Sequence, residues 1–394
     1  MIMRGTKMTR ALALLAGLVL AAIITGPVAA QTKFETSAKQ AILIDFDTRA
    51  ILFEKEPDTT MFPASMTKIM TALLVFDRLR DGSFTLDTKL PVSEKAWRMG
   101  GSKMFVKVGD EVTVEDLLRG VIVQSGNDAS IVFAEAISGS EEAFGELMTK
   151  RGEEIGLEGT VFRNSTGWPD PDHVTTPRDM AKLAEYVIRE FPDNYKYYSE
   201  REFTYGKSLD GKPIVQSNRN PLLYQGVGAD GLKTGHTEAA GFGLTASGER
   251  KGRRLIMVIH GMDSVRTRSQ ESRRLFDWGF REFTNVALFK AGEPVETANV
   301  WLGDKPSVQL MLEEDFTVTL PRGARTGMKV TVKYQGPIQS PIAKGQQVAT
   351  LEIIGPGFEP ISRPLLAAED IGQKAFFGRI GSAISFIIFG APSG

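Results

Sequence analysis

The order of hydrophobic patterns along the chain limits the possible folds more than any other feature of the sequence. Two alternating apolar runs within residues 41–54 predict a β-hairpin, and three further strand patterns lie within residues 228–262. Between them, apolar residues recur at helical spacing after Ser65, on both sides of Ser125, and after a predicted helix N-cap at Thr176. Strands at both ends with helices between them predict an α+β domain with an antiparallel sheet.

A change of pattern past Phe283 predicts a second domain. A helix is predicted from Gln270 to Phe283, and residues 288–368 then hold short runs rich in Val and Thr, separated by Gly and Pro, without helical periodicity. This sequence pattern is typical of a small all-β domain, and we predict a β-sandwich. The domain boundaries are predicted at residues 31–284 and 285–369.

The first thirty residues have the layout of a secretory signal. Arg4, Lys7 and Arg10 precede an apolar run from Ala11 to Ile24, and small residues follow before Gln31. A basic segment, a short apolar run and small residues predict a cleavable signal peptide over residues 1–30, and therefore export. The alternative is an uncleaved membrane anchor.

The last segment, residues 370–394, is predicted to form an amphipathic helix. Its apolar residues follow helical spacing and gather on one face, while Lys374, Arg379, Ser382 and Ser385 fall on the other. The segment is too short and too polar to span roughly 30 Å of hydrocarbon, so we predict a helix lying in the membrane interface. The alternative is a terminal helix that docks on the protein's own core.

Composition excludes several kinds of partner and site. The chain carries 47 basic and 48 acidic side chains, which gives no electrostatic argument for nucleic acid as a partner. Cysteine is absent, which excludes thiolate metal sites and a cysteine nucleophile. The three histidines do not pair at metal-ligand spacing, so we predict neither a metal nor a cofactor.

A serine and a lysine three residues apart suggest nucleophilic catalysis. Ser65 and Lys68 lie at the predicted start of a helix, where residues three apart face the same way. A lysine activates a serine only when it is neutral, and lowering its pKa from about 10.4 to about 7 costs roughly 4 to 5 kcal/mol, which an apolar setting or a nearby cation supplies. Taken alone the motif is weak, and a surface helix with a solvated lysine explains it equally well.

Two further motifs follow at wide spacing. Ser125-Gly-Asn127 falls at a break between two predicted helices, and Lys233-Thr234-Gly235 lies on a predicted strand, about 60 and 110 residues further along in turn. Their order matches the three-part signature of penicillin-binding proteins and class A β-lactamases. The chain resembles the low-molecular-mass penicillin-binding proteins, which are D-alanyl-D-alanine carboxypeptidases, and the resemblance covers essentially the whole mature chain.

The resemblance implies a role for each motif residue. Ser65 is the nucleophile acylated by the penultimate D-alanine, Lys68 its base, and Ser125 the relay of a proton to the leaving amine. The substrate-binding residues it implies are Asn127, which contacts the substrate amide, Lys233 and Thr234, which hold the carboxylate, and His236, whose backbone N–H forms the oxyanion hole with that of Ser65. Lys233 is also expected to keep Lys68 neutral, and Arg266 and Arg268 are alternatives for a second carboxylate contact.

The resemblance also implies partners and a location. The expected substrates are peptidoglycan stem peptides ending in D-Ala-D-Ala, with β-lactams as inhibitors. The expected location is the periplasmic face of the inner membrane, with the C-terminal helix on the membrane surface.

Three other functions stay open. A β-lactamase needs a deacylating glutamate, for which the chain offers only the near match "EIGLE" at Glu154 to Glu158, without the asparagine. An endopeptidase or transpeptidase would use the same residues on cross-links, because acceptor choice depends on the shape of the cleft. A scaffold that binds peptidoglycan without catalysis is the third alternative.

Several other patterns are predicted to be structural. "GVGADG" at Gly226 to Gly231 matches a dinucleotide-binding motif but leads into a strand, so we predict a loop. His173 is predicted to be solvated or bonded to backbone, and His260 to lie at the edge of the core. The basic run at residues 266–274 is predicted to be a solvated helix face.

Overall fold

A computed structural model describes residues 34–208 and 210–375 of the 394-residue chain. The predicted signal peptide and residues 376–394 of the predicted amphipathic helix lie outside the described residues. The prediction was wrong for residues 370–375, which form no helix because Ile371 and Gln373 make β-bridges with Ile342 and Gly303. Within the described ranges, no helix is long and apolar enough to cross a membrane.

The first domain contains nine strands and eight helices among the described residues. The strands are β1 (Gln40–Asp45), β2 (Ile51–Lys55), β3 (Lys89–Pro91), β4 (Glu111–Thr113), β5 (Glu202–Lys207), β6 (Pro213–Ser217), β7 (Ala229–Thr237), β8 (Gly241–Arg250) and β9 (Arg253–Met262). The helices are α1 (Lys68–Arg80), α2 (Glu94–Arg98), α3 (Val114–Ile122), α4 (Asn127–Ser138), α5 (Glu141–Glu154), α6 (Pro177–Glu190), α7 (Pro192–Tyr195) and α8 (Val265–Glu282). Short 3₁₀ turns cover Ala64–Thr67, Lys196–Ser199 and Pro221–Tyr224.

The main sheet has five antiparallel strands in the order β2-β1-β9-β8-β7. Alternation along β9 explains why it sits in the middle: Ile256 and Val258 belong to one hydrophobic core, and Leu255, Met257 and Ile259 belong to another. The first core also takes in α1, α3, α4 and α6, and the second takes in α8. The sheet therefore has helices on both faces, and its edge strands are β2 and β7.

Most predicted elements are confirmed, and the start of the closing helix was wrong. The hairpin, the paired helices around Ser125, the Thr176 cap and the three terminal strands are present. The closing helix begins at Val265 rather than Gln270, because the Ser264 hydroxyl accepts the Thr267 N–H and caps it.

The second domain is all-β, as predicted. Its strands are β10 (Phe283–Phe289), β11 (Pro294–Trp301), β12 (Ser307–Met311), β13 (Phe316–Pro321), β14 (Lys329–Lys333), β15 (Ile338–Gln339), β16 (Gln347–Ile354) and β17 (Ile361–Ala367). They form a six-stranded sheet in the order β14-β16-β17-β12-β11-β15 and a two-stranded sheet of β10 and β13, with one shared core. Strand β10 begins directly after α8, within two residues of the predicted boundary.

A buried polar network joins the two domains. The Asp45 carboxylate is fully buried at the end of β1 and accepts hydrogen bonds from Arg253 Nε at 2.8 Å and from Asn285 Nδ2 at 3.1 Å. Asn285 also accepts a hydrogen bond from the Thr319 hydroxyl at 2.8 Å. Because Asn285 and Thr319 lie on β10 and β13, this carboxylate ties the β domain to the main sheet.

Candidate active site

Ser65 lies in the 3₁₀ turn Ala64–Thr67, directly before α1. The α-helix itself begins at Lys68 and not at Ser65 as predicted, because Ala64 adopts a left-handed φ of 47° and the chain enters the helix through the tighter turn. Two glycines allow neighbouring segments to pack closely against the turn that carries Ser65. A Cβ on Gly167 would lie 1.8 Å from the Ala64 carbonyl oxygen, and one on Gly235 would lie 2.7 Å from that of Pro63.

The expected contact between Ser65 and Lys68 is present. Lys68 Nζ donates to Ser65 Oγ at 3.0 Å, to Asn127 Oδ1 at 2.7 Å and to the Thr166 carbonyl at 2.6 Å. The side chain is fully buried, so these three acceptors replace its hydration. The serine and the asparagine of two distant motifs thus meet on one amine.

Burial lowers the pKa of Lys68 from its ordinary value near 10.5 to about 7. The positive charge of Arg219 contributes to this lowering, and the carboxylates of Asp128 and Glu141 act in the opposite direction. The sequence assigned the role of the nearby cation to Lys233. The charges of Lys68 and Lys233 do interact, which lowers the pKa of Lys233, and Arg219 is a further cation that acts on Lys68. At neutral pH about half of the Lys68 amines are free to accept a proton.

We expect the rate of acylation by penicillin to rise with pH and to level off above about 7. The neutral amine is the base, and its fraction falls tenfold for each pH unit below the pKa of about 7. Between pH 5 and pH 8 the second-order rate constant is expected to differ by about a hundredfold. Stopped-flow acylation across this range measures the profile, and a flat profile would contradict the assignment of Lys68 as base.

Ser125 is held in a strained position with an unpaired hydroxyl. It lies between α3 and α4 with a left-handed φ of 64°, and the residue is only 1 % exposed. Its Oγ is buried without a hydrogen-bond partner among the described residues. A buried hydroxyl in that state is uncommon, and a substrate group or a water molecule that enters the site would satisfy it.

Asn127 begins α4 and is fixed from two sides. Its Nδ2 donates to the Gly100 carbonyl at 2.8 Å, and its backbone N–H donates to Ser102 at 2.7 Å, which leaves Oδ1 for Lys68. The neighbouring Asp128 carboxylate accepts three backbone N–H groups from residues 104–106. The loop between α2 and β4 is thereby held against the Ser125 motif.

Three cationic side chains gather at the other side of the site without an acidic partner among the described residues. Lys233 on β7 is 3 % exposed, and Arg268 on α8 is 5 % exposed with an unpaired Nε. Arg219 donates to Ser102 Oγ at 2.6 Å, and Arg268 donates to the Arg219 carbonyl at 3.4 Å. Burial and the charges of Lys68, Arg219 and Arg268 hold the pKa of Lys233 well below its usual range. A cluster of cationic side chains without an acidic partner favours the binding of an anion.

The structure places the two arginines that the sequence left open in different surroundings. Arg266 is exposed, whereas Arg268 is buried beside Lys233 and lowers its pKa. The predicted solvated face of α8 was therefore wrong at Arg268. Arg219 was missed altogether, because a lone arginine in a loop before a 3₁₀ turn carries no pattern that sets it apart.

Thr234 and His236 lie on the edge strand β7. Thr234 is 5 % exposed and Lys233 Nζ donates to its carbonyl at 3.3 Å, whereas His236 is exposed and its ring stacks on Phe242 at 3.8 Å between centroids. An edge strand has one row of backbone groups without a strand partner. The oxyanion role of the His236 N–H stays a prediction.

The other two histidines are structural, as expected. His173 Nδ1 accepts the Arg163 N–H at 3.2 Å, which leaves Nε2 to donate to Thr67 Oγ1 at 2.9 Å. His260 contacts Gln40 Oε1 and the Phe62 carbonyl. Burial lowers the pKa of each imidazole from 6.5 to about 4.

Because both histidines are buried in the neutral form, we expect the protein to lose stability in mild acid. The unfolded chain binds a proton on each near pH 6.5 and the folded chain only near pH 4, so the free energy of unfolding falls as the pH drops through that window. The loss grows to about 3 kcal/mol for each histidine as the pH approaches 4. Urea unfolding at pH 7.5 and 4.5 tests this, and His260→Gln should show a weaker pH dependence. An unfolding free energy that stays constant between these pH values would contradict it.

The structure does not support the deacylating glutamate of a β-lactamase or the dinucleotide-binding motif. Glu154 is exposed and pairs with Arg151 at 3.1 Å, and Glu158 is exposed as well, so neither occupies the place of a deacylating base. As predicted, the glycine-rich segment at residues 226–231 leads into strand β7 and not into a helix.

Comparisons with known proteins agree with this geometry. Residues 27–264 match the D-alanyl-D-alanine carboxypeptidase family, and residues 283–373 match the penicillin-binding protein 5 C-terminal domain. The chain is 38% identical over 351 residues to the D-alanyl-D-alanine carboxypeptidase DacC of Escherichia coli K12, covering 87% of this chain and 86% of that one. It is 35% identical over 345 residues to DacF of Bacillus subtilis 168, covering 86% and 87%.

Solved structures show the same relationship. Penicillin-binding protein 5 of Haemophilus influenzae superposes with a TM-score of 0.78 at 37% identity, over 87% of this chain and 99% of that one. The ampicillin-bound form of penicillin-binding protein D2 from Listeria monocytogenes superposes with a TM-score of 0.57 at 25% identity, over 64% of this chain and 100% of that one. The fold, the family matches and the paired serine and lysine agree, and the chain belongs to the D-alanyl-D-alanine carboxypeptidase family of serine peptidases.

Proposed function

We propose that the protein removes the terminal D-alanine from peptidoglycan pentapeptide stems through an acyl-enzyme on Ser65. The observation that supports this most strongly is the buried Lys68 amine, 3.0 Å from Ser65 Oγ, with a pKa lowered to about 7. A serine is activated when a neighbouring base takes its proton, and here the chain supplies an amine for that step.

In the proposed reaction, Ser65 Oγ attacks the carbonyl carbon of the penultimate D-alanine while its proton passes to Lys68 Nζ. The carbonyl oxygen becomes an oxyanion, for which the backbone N–H groups of Ser65 and His236 are the proposed donors. The C–N bond to the terminal D-alanine then breaks, and the departing nitrogen receives a proton through the Ser125 hydroxyl. Water attacks the ester in the second half, Lys68 again accepts the proton, and Ser65 is restored.

The cationic group places the substrate. Lys233, Arg219 and Arg268 face no acidic partner among the described residues, and Thr234 lies beside Lys233 on β7. A terminal carboxylate bound there leaves the preceding carbonyl near the Ser65 turn, because Gly235 of β7 packs against residues 63 and 64 of that turn. This arrangement selects peptides with a free C-terminus.

A penicillin label followed by peptide mapping tests the proposal. A fluorescent penicillin should acylate the tryptic peptide that contains Ser65, and Ser65→Ala should take up no label. Absence of label on the wild-type protein would favour the scaffold alternative, and rapid loss of the label would favour a β-lactamase. Incubation with sacculi distinguishes the remaining alternatives, because a carboxypeptidase releases D-alanine from pentapeptides, whereas an endopeptidase removes cross-linked dimers.

We further infer export and attachment to the periplasmic face of the inner membrane. The support is in the sequence, since the first thirty residues have the signal layout and residues 370–394 the amphipathic pattern. Fractionation of cells tests this: the full chain should sediment with membranes, and a chain ending at residue 375 should appear in the periplasmic fraction. Equal distribution of the two chains would contradict the role of the C-terminal segment.

A further inference from the structure

Asn220 is a fully buried asparagine in the segment between β6 and β7. Its Nδ2 donates to the Gly231 carbonyl at 2.7 Å, and its Oδ1 accepts the Leu222 N–H at 3.1 Å. Because a carbonyl only accepts and an N–H only donates, these two contacts fix which way the amide points. The proposed reaction does not use this side chain.

The Asn220 amide joins the two backbone segments that carry the cationic group. Arg219 is the residue directly before it, and Gly231 lies two residues before Lys233 on β7. Residues two apart share a face of a strand, so the carbonyl that Asn220 holds belongs to the same stretch of β7 as the lysine. The hydrogen bond therefore fixes the distance between the chain at Arg219 and the chain at Lys233.

Strand β7 is itself held in place at this point, so the loop is tied to a rigid support. A Cβ on Gly231 would lie 2.4 Å from the Tyr195 hydroxyl, which shows how closely the strand packs there. The same hydroxyl donates to Asp230 at 2.7 Å. A shift at Asn220 would thus move the loop and leave β7 in position.

Arg219 depends on its loop for its place in the site. The residue is exposed, so hydrogen bonds and not side-chain packing hold its guanidinium. That group donates to Ser102 Oγ at 2.6 Å, and the Arg219 carbonyl accepts Arg268 at 3.4 Å. A long, exposed side chain keeps one position only if its backbone does. The Asn220 anchor supplies that condition.

The position of Arg219 also matters for the base. The charged groups that act on Lys68 come from four elements, namely Arg219 in this loop, Asp128 on α4, Glu141 on α5 and Lys233 on β7. The neighbouring His173 is neutral, with a pKa of about 4. Arg219 lowers the pKa of Lys68, so its displacement would raise that pKa and leave less neutral amine at a given pH.

We propose that Asn220 is a positioning residue, which holds Arg219 beside Lys233 so that the cationic group matches the carboxylate of the substrate. Asn220 does not touch the substrate and acts through Arg219. This inference rests on the proposed function and adds a residue outside the cleft that determines how tightly a free C-terminus is bound.

Asn220→Ser tests the proposal. Serine keeps an oxygen that can accept the Leu222 N–H and loses the amide that reaches Gly231. At pH 8.5, where Lys68 is neutral, kcat/KM for an acetylated tripeptide ending in D-Ala-D-Ala should fall about tenfold. The fall should come from KM, with kcat within about twofold of the wild type, because the loosened contact is to the bound carboxylate.

The pH profile of penicillin acylation separates this role from a general defect. A merely structural defect lowers the rate by the same factor at every pH, whereas displacement of Arg219 moves the midpoint of the profile to higher pH. Arg219→Gln should move the midpoint in the same direction. Adding Asn220→Ser to Arg219→Gln should change neither KM nor the midpoint further, because the residue through which Asn220 acts is already gone.

Asn285→Ser is the matched control. It removes an asparagine that joins β10 to Asp45 in the other domain, and it should keep the wild-type KM and midpoint. Asn220→Thr replaces Asn220→Ser if the serine variant does not fold, with the same expected results. A folded variant with wild-type KM and midpoint, or effects that add to those of Arg219→Gln, would overturn the proposal. If the wild type releases no D-alanine from the tripeptide, the proposed function itself fails.

Discussion

Replacement of Lys68 by alanine is expected to lower the rate of acylation by penicillin by about a thousandfold, the range over which general bases act. The variant removes the amine that contacts Ser65 Oγ at 3.0 Å, and no other base is in hydrogen-bond contact with Ser65 among the described residues. The rate is measured as covalent penicillin adduct against time by mass spectrometry.

Two controls separate loss of the base from loss of structure. Lys150→Ala removes an exposed lysine on α5 and should acylate at the wild-type rate. The far-UV circular dichroism and Tm of Lys68→Ala show whether the fold is retained, because the lost amine also bonds Asn127 and the Thr166 carbonyl. A folded Lys68→Ala protein within tenfold of the wild-type rate would rule out the base assignment.

Asp45→Ala is expected to destabilise the protein by about 3 to 5 kcal/mol, the usual loss when one partner of a buried ion pair is removed. The carboxylate is fully buried, and it accepts hydrogen bonds from Arg253, from Asn285 and from residues 47 and 48. Its removal leaves the Arg253 guanidinium, whose side chain is 12% exposed, without its anion. Urea unfolding, followed by tryptophan fluorescence, measures the change.

Asp47→Ala is the matched control for this prediction. Asp47 is exposed two residues further along the same loop, and its loss should change the unfolding free energy by less than about 0.5 kcal/mol. Because Asp45 also holds Asn285 of β10, proteolysis near residue 283 should become faster in Asp45→Ala. A change below about 1 kcal/mol would show that the network contributes little net stability.

Periodic and local signals allowed much of the fold to be predicted from sequence. The apolar run of β9, the Thr176 cap and the change of composition after Phe283 each depend on neighbours in the chain, and the structure contains the corresponding elements. The start of α8 was missed because its Ser264 cap lies in a polar stretch that does not continue the apolar pattern.

The site could be predicted only as far as its motifs reached. Ser65 and Lys68 meet through local helical geometry, and the family resemblance implied the other motif residues. Arg219 and the Thr166 carbonyl were beyond reach, because both approach Lys68 through tertiary packing. The direction of the Lys68 pKa shift was anticipated, and Arg219 is a further cation that the sequence did not reveal.

The unpaired cationic group has a consequence for the lifetime of the acyl-enzyme. When a peptide reacts, its carboxylate departs with the released D-alanine, so Lys233, Arg219 and Arg268 lose their anion and repel one another again. When a β-lactam reacts, ring opening releases nothing, and the tethered carboxylate stays in place. Mass spectra recorded over time should therefore show a longer-lived adduct with penicillin than with a peptide. The same cations that bind the substrate carboxylate would thus keep the acylated β-lactam in the active site.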